Sequence, residues 1–113
     1  MGIEGRIIHS DFGKISDRSV RNVRAIIKNT AFSIEGSAKV RAPVDTGHLR
    51  NSIQSIDVSD LEWWVVVGAE YGIFVEYGHH TRGGTFVAPQ PFLSPAVEKF
   101  RGQFEEKMKK AVA

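Results

Sequence analysis

The sequence predicts an α+β fold: a long N-terminal helix, a small antiparallel sheet of about three to four strands, and a C-terminal helix. Three observations point there. Val20, Val23, Ile27, Ala31, Ile34 and Ala38 recur at a mean spacing of 3.6 residues, the helix period. Glu62 to Gly68 is β-branched and aromatic nearly throughout, as strands are. Val97, Phe100, Phe104, Met108 and Ala111 form a second helical stripe behind a proline-rich segment. At 113 residues, the chain reads as a single domain spanning 1–113. Hydrophobic residues at 42% and charged residues at 25% argue against wholesale disorder.

The elements follow in order. Residues 1–13 mix Ile3, Ile7, Ile8 and Phe12 with Gly5 and Gly13, which suits an arm or short strand. Ile3-Glu4-Gly5-Arg6 matches a protease site used in expression vectors. It runs into Ile7-Ile8 without a linker and is read as native. Ser16 or Asp17 is expected to cap the first helix by accepting its unpaired N–H groups. Gly36 interrupts that helix, and Pro43 ends it by forcing Ala42 out of helical geometry. Pro43-Val44-Asp45-Thr46-Gly47 is a turn by composition, and Asp45 or Thr46 is a candidate cap for a helical turn through His48-Leu49-Arg50.

Asn51 to Val58 reads as a strand, with Ile56 and Val58 on one face. Polar residues 57–60 then turn it into an antiparallel hairpin with 62–68. The unbroken apolar run of the second strand predicts that both its faces are covered. Residues 69–77 fit either one helical turn or a strand. Three glycines among residues 78–84 predict a flexible loop. Thr85-Phe86-Val87 fits a short strand, and Pro89, Pro91 and Pro95 a stiff connector. Ser94 as N-cap and Pro95 at the first helical position would open the last helix, whose end carries Lys107, Lys109 and Lys110.

Composition excludes several classes of function. There are no cysteines, which removes disulfides, thiolate metal sites and cysteine nucleophiles. The longest apolar run, residues 63–67, is far short of a membrane span, and no basic-then-apolar leader opens the chain. Nine Lys/Arg against seven Asp/Glu lie in residues 1–60, and six of each in 61–113. That near balance disfavours a dedicated nucleic-acid binder.

Four constellations could carry chemistry. Asp45-Thr46-Gly47 matches the catalytic triplet of aspartic proteases, where two carboxylates share a proton. It follows a helix and a proline, whereas such a triplet should follow an apolar strand, so a structural turn is favoured. His79-His80 is a weak metal signal, because adjacent residues of an extended chain point apart and no third ligand is placed nearby. Arg18, Arg21, Arg24 and Lys28 recur along one face of the first helix. They suit either phosphates or solvent, and the lack of neighbouring aromatic residues favours solvent. One ring of the Trp63-Trp64 pair must face outward or be covered by another element.

Three segments together resemble a known family. They are Ala42-Pro43-Val44-Asp45-Thr46-Gly47-His48-Leu49-Arg50-Asn51-Ser52-Ile53; Val67-Gly68 followed by Tyr71-Gly72-Ile73-Phe74-Val75-Glu76-Tyr77-Gly78; and Pro89-Gln90-Pro91-Phe92-Leu93-Ser94-Pro95-Ala96. In this order, between two helices, they are similar to the tailed-phage neck family typified by gene product ten of phage Hong Kong 97. The resemblance covers roughly residues 41 to 100.

The resemblance implies a structural virion protein of the head–tail connection, made in the bacterial host cytoplasm. Its expected partners are itself, in a ring of six- or twelve-fold order, and neighbouring adaptor, stopper or tail-terminator proteins. DNA would enter only by passing through the ring. No catalysis, cofactor or metal is implied. Asp45, Thr46 and Gly47, with Pro43 before them, match the family turn, and Leu49, Arg50 and Ile53 its helical continuation. Glu76, Tyr77 and Gly78 match a central Val-Glu-Phe/Tyr-Gly segment. Pro91, Phe92, Pro95 and Ala96 match the start of the last helix. Gly72 and His79 depart from the usual alanine and threonine. Arg50, Glu76, His79, His80 and Arg82 are the candidate interface residues. Arg50 and Glu76 are equally placed to pair across a ring seam or within one chain.

Overall fold

The computed structural model describes residues 3–6, 17–43 and 47–112, with the backbone alone at 3–6 and 17. The elements run β1 (Ile3–Arg6), α1 (Asp17–Arg41), α2 (His48–Asn51), β2 (Ile53–Ser59), β3 (Glu62–Val67), α3 (Gly72–Tyr77), β4 (His79–His80), β5 (Phe86–Val87) and α4 (Leu93–Val112). The fold is α+β, as expected. β1, β3 and β2 form one antiparallel sheet in that order, and β4 and β5 form a separate hairpin.

The long helix forms where its period predicts. Val23, Ile27, Ala31, Ile34 and Ala38 are buried along one stripe of α1. Fully burying an Ile or Val side chain contributes about 1.5–3 kcal/mol. The helix stops at Arg41, and the Ala42 N–H closes the last turn on the Ala38 carbonyl before Pro43. α4 packs antiparallel to α1: Met108 lies with Val23 and Ile27, while Leu93 and Ala96 lie with Ala31 to Ala42. Trp63 packs against both clusters and meets the edge of Phe32 at 5.4 Å, so it joins the two halves of the core.

The sheet is tied to α1 by more than apolar contact. β2 is an edge strand. Its Ser55 N–H donates to the Glu35 carboxylate, and the Ser55 hydroxyl donates to the Ala31 carbonyl at 3.2 Å. An edge N–H is thereby withdrawn from pairing with another chain. The hairpin register pairs Ile53 with Val67 and Ile56 with Trp64, then slips between Asp57 and Ser59. That bulge fits the polar turn residues there.

Several expectations are corrected. β2 begins at Ile53, because residues 48–51 form α2 and the Ser52 hydroxyl closes on the Leu49 carbonyl at 2.7 Å. The second face of β3 is partly covered among the described residues, and the Trp64 Nε1 is buried there. Val65 and Val67 are buried, whereas Trp64 and Val66 alternate onto the other face and stay half-buried beside exposed Ile56 and Val58. Ile56 and Val58 do share a face, but it is the outer one. Of the two alternatives for residues 69–77 the helical one is found, as α3 at Gly72–Tyr77. Within residues 78–84, His79–His80 form β4 and the expected loop follows it. The Thr81 N–H bonds the Thr85 carbonyl at 2.8 Å and the Gly84 N–H bonds the Thr81 carbonyl at 3.0 Å, so the glycines serve defined turns. α4 starts at Leu93, so Ser94 and Pro95 lie inside its first turn and Ser94 is not the N-cap. The candidate caps Ser16, Asp45 and Thr46 lie outside the described residues. α2 is instead preceded by Gly47 at φ +78, a conformation that favours glycine.

Candidate functional site

Glu76 is the organising residue of the α3 end of the molecule. Its side chain is buried, with the residue only 3% exposed. One carboxylate oxygen accepts the N–H groups of Phe92 at 2.8 Å and Leu93 at 3.2 Å. The other accepts the Ser94 N–H at 2.8 Å and the Ser94 hydroxyl at 2.6 Å. The first N–H groups of a helix have no partner within the helix, and its N-terminus carries partial positive charge. Glu76 satisfies both needs from another element. That is why α4 starts before Ser94 and why Ser94 acts as a donor there. Burial pushes the Glu76 carboxyl up, but the Ser94 hydroxyl and the N–H groups of Ser94, Phe92 and Leu93 outweigh it and hold the group below its ordinary value.

Arg50 has a matching role at the opposite polarity. Its Nε donates to the Lys39 carbonyl at 2.9 Å, in the last turn of α1, where carbonyls lack partners. Arg50 and Glu76 therefore do not pair with each other within the chain. Each serves a different helix end, and Glu76 is buried within its own chain, out of a neighbour's reach.

Gly78 completes the same module. It sits at φ +76 and ψ 170, and a Cβ there would lie 2.8 Å from the Val87 carbonyl oxygen and 3.0 Å from Pro89. Only glycine lets α3 turn straight into β4 beneath the following strand. The Gln90 N–H then returns to the Val75 carbonyl at 2.8 Å. α3, the β4–β5 hairpin and the start of α4 are thus bolted together, with Phe92 fully buried beneath them.

The surface of this module carries several exposed apolar side chains. Ile73, Phe74, Tyr77, Phe86 and Val87 are exposed, Tyr77 by 64% and Phe86 by 55%. His79 lies 5.7 Å from the Phe74 ring and His80 5.1 Å from the Phe86 ring, both centroid to centroid. Arg82 is exposed in the turn. Tyr77, His79, His80 and Arg82 thus lie along α3 and the hairpin that follows it, with His79 and Val87 on one face of the hairpin and His80 and Phe86 on the other. Pro43, Leu49 and Ile53 lie around the α1–α2–β2 junction, with Leu49 and Ile53 in the core. Sequence reasoning missed Phe74 and Phe86 as surface residues. An apolar residue announces burial until the helix phase of α3, set by buried Gly72 and Glu76, is known.

No group of three or more His, Asp or Glu residues converges for a metal among the described residues. The basic face of α1 is exposed at Arg18, Arg21, Arg24 and Lys28, and Arg24 is paired with Asp60 at 2.9 Å. Among the described residues, no helix is long and apolar enough to cross a membrane.

A family model described as "Bacteriophage HK97-gp10, putative tail-component" matches residues 8–78, more than half of the chain. The chain belongs to this family. No curated protein and no solved structure matches it. The match runs through α1, α2, β2, β3 and α3 and ends at Gly78, so it includes Arg50 with the α1 end it serves, and Glu76, whose partners at the start of α4 lie beyond it. Membership in this phage tail-component family implies a structural, non-enzymatic protein with phage protein partners, consistent with a place in the virion.

Proposed function

We propose that this chain is a virion protein of the head–tail connection, a neck or tail-completion component that works by ring assembly and protein–protein contacts. It is made in the host cytoplasm and ends in the particle, beside adaptor, stopper or tail-terminator proteins. The observation that carries the reading is the set of exposed apolar side chains on an anchored α3–hairpin module in a phage tail-component family. Exposed rings on a well-anchored support mark contact surfaces, whereas scattered ones do not. A ring needs heterologous contacts, in which one surface meets a different one on the next copy. The nucleic-acid alternative rests on the exposed basic face of α1 alone, where Arg24 is paired with Asp60.

A gold-labelled antibody against the chain, applied to purified particles, tests the location. Label concentrated where head meets tail is the expected result. Label along the tail shaft or over the head contradicts it.

A further inference from the structure

We propose that the seam between α1 and α4 is a docking groove for an acidic amphipathic helix of a different protein. The groove is separate from the α3–hairpin module, and its occupancy does not depend on the head–tail reading.

Two open cavities lie along this seam. One, of about 560 Å³, lies between Phe32, Gly36, Val40 and Arg41 of α1 and Lys99 and Phe100 of α4. The other, of about 450 Å³, lies between Ala25 and Ile26 of α1 and Lys107, Lys110 and Ala111 of α4. Ala25 and Gly36, Lys99 and Lys110, and Phe100 and Ala111 are each eleven residues apart. Eleven residues complete three helical turns to within about 20°. The two cavities therefore lie on one side of the helix pair, about 16 Å apart along it. Their floor is apolar and open. Phe32 is exposed by 45% and Val40 by 79%, and Ile26, Phe100 and Ala111 are half-buried. A Cβ on Gly36 would meet nothing within 4 Å. A groove between two helices, with apolar recesses a whole number of turns apart, is the shape that receives a third helix by its apolar face.

Charge selects the occupant. Arg41, Lys99, Lys107 and Lys110 line the two cavities, and no carboxylate does. None of these four cations has an ion pair among the described residues. The nearby Glu35, Glu98 and Glu106 are each engaged by another cation, Lys39, Arg101 and Lys109 in turn. An incoming helix with carboxylates flanking its apolar stripe meets four unspent positive charges, and such complementarity sets register and partner choice. Both long helices of this chain carry more Lys and Arg than Asp and Glu, so a second copy offers no acidic helix. The apolar recesses favour aliphatic side chains over a phosphate backbone, which carries charge without an apolar face.

The test is an NMR titration of the full chain with a synthetic helical peptide of about four to five turns, leucine along one face and glutamate on its flanks. Saturable shifts confined to the α1–α4 seam are expected, with a Kd below about 1 mM that weakens as salt rises. Lys99→Glu combined with Lys110→Glu should weaken binding about tenfold or more. Gly36→Leu should weaken it as much at unchanged charge, because the side chain fills the recess, while circular dichroism shows the helices intact. No saturation by about 1 mM, equal binding of a peptide with lysine in place of glutamate, or unchanged binding by Gly36→Leu overturns the proposal. A single-stranded DNA oligonucleotide that shifts the same residues at lower concentration than the peptide assigns the seam to nucleic acid and overturns it as well. So does a wild-type dimer in sedimentation that Gly36→Leu abolishes, which assigns the seam to a second copy. None of these bears on whether the protein sits at the head–tail junction, which the labelled particles report separately.

Discussion

Replacing Glu76 with alanine is expected to lower the unfolding free energy by about 3–5 kcal/mol. The variant leaves three N–H groups at the start of α4 without their acceptor, and the Ser94 hydroxyl with them. A buried donor without a partner costs about 1–3 kcal/mol, and water entering the vacated space recovers part of that. The loss is a large share of the roughly 5–15 kcal/mol that holds a domain of this size. Urea and thermal unfolding followed by circular dichroism measure it. Ser94→Ala removes one bond to the same carboxylate and should cost about 1.5–3 kcal/mol. On the Glu76→Ala background Ser94→Ala should cost much less, because the bond is already gone.

The same carboxylate gives a pH signature. Glu76 is held below its ordinary value of 4.5 in the folded state. A lowered carboxylate stabilises the fold fully above its unfolded value, and that stability drains away as pH falls through the lower folded value. The wild type should therefore lose stability below about pH 4.5 more steeply than Glu76→Ala. Equal slopes for the two proteins contradict the capping role.

The second large effect is expected at Gly78. Alanine there must adopt φ +76 with ψ 170 and push a Cβ to 2.8 Å from the Val87 carbonyl oxygen, which is backbone and cannot swing aside. Backbone strain of this kind costs about 1–3 kcal/mol before the clash is counted. A loss of about 3 kcal/mol or more in urea unfolding is the expected result. Gly36 and Gly102 provide the contrast. A Cβ at either meets nothing within 4 Å, and both lie inside helices. Alanine at either should raise stability by about 0.5–1 kcal/mol. Equal effects at all three positions contradict the close approach at Gly78.

The parts of this fold legible in sequence are those fixed by period and composition. The α1 stripe from Val23 to Ala38 faces the core because one helix face meets both α4 and the sheet. The β2–β3 hairpin follows from polar residues 57–60 between two strand-forming runs. The start of α4 was misread because the cap comes from Glu76, eighteen residues before Ser94, and local rules for N-caps cannot see a distant acceptor. Ser94 looked like a cap because a serine beside a proline usually is one. The unbroken apolar run of β3 is the pattern of a strand covered on both faces, and Trp64 and Val66 are half-buried on the second one.

The candidate site was legible as a set of residues but not as roles. Glu76, Tyr77 and Gly78 stood out together, yet they do three different things. Glu76 caps a helix, Gly78 permits a close backbone crossing, and Tyr77 stands in solvent. Arg50 stood out as a charge and serves as a donor to the end of α1. In both charged residues the surface reading failed because the partner is a helix terminus, which carries no letter in the sequence.

The most direct test of the head–tail role is electron microscopy of particles from a lysate in which this reading frame carries an early stop codon. The account predicts DNA-filled heads lying apart from tails, or tails of abnormal length, with joining restored when the intact chain is supplied. Normal, joined and infectious particles without the chain would contradict it.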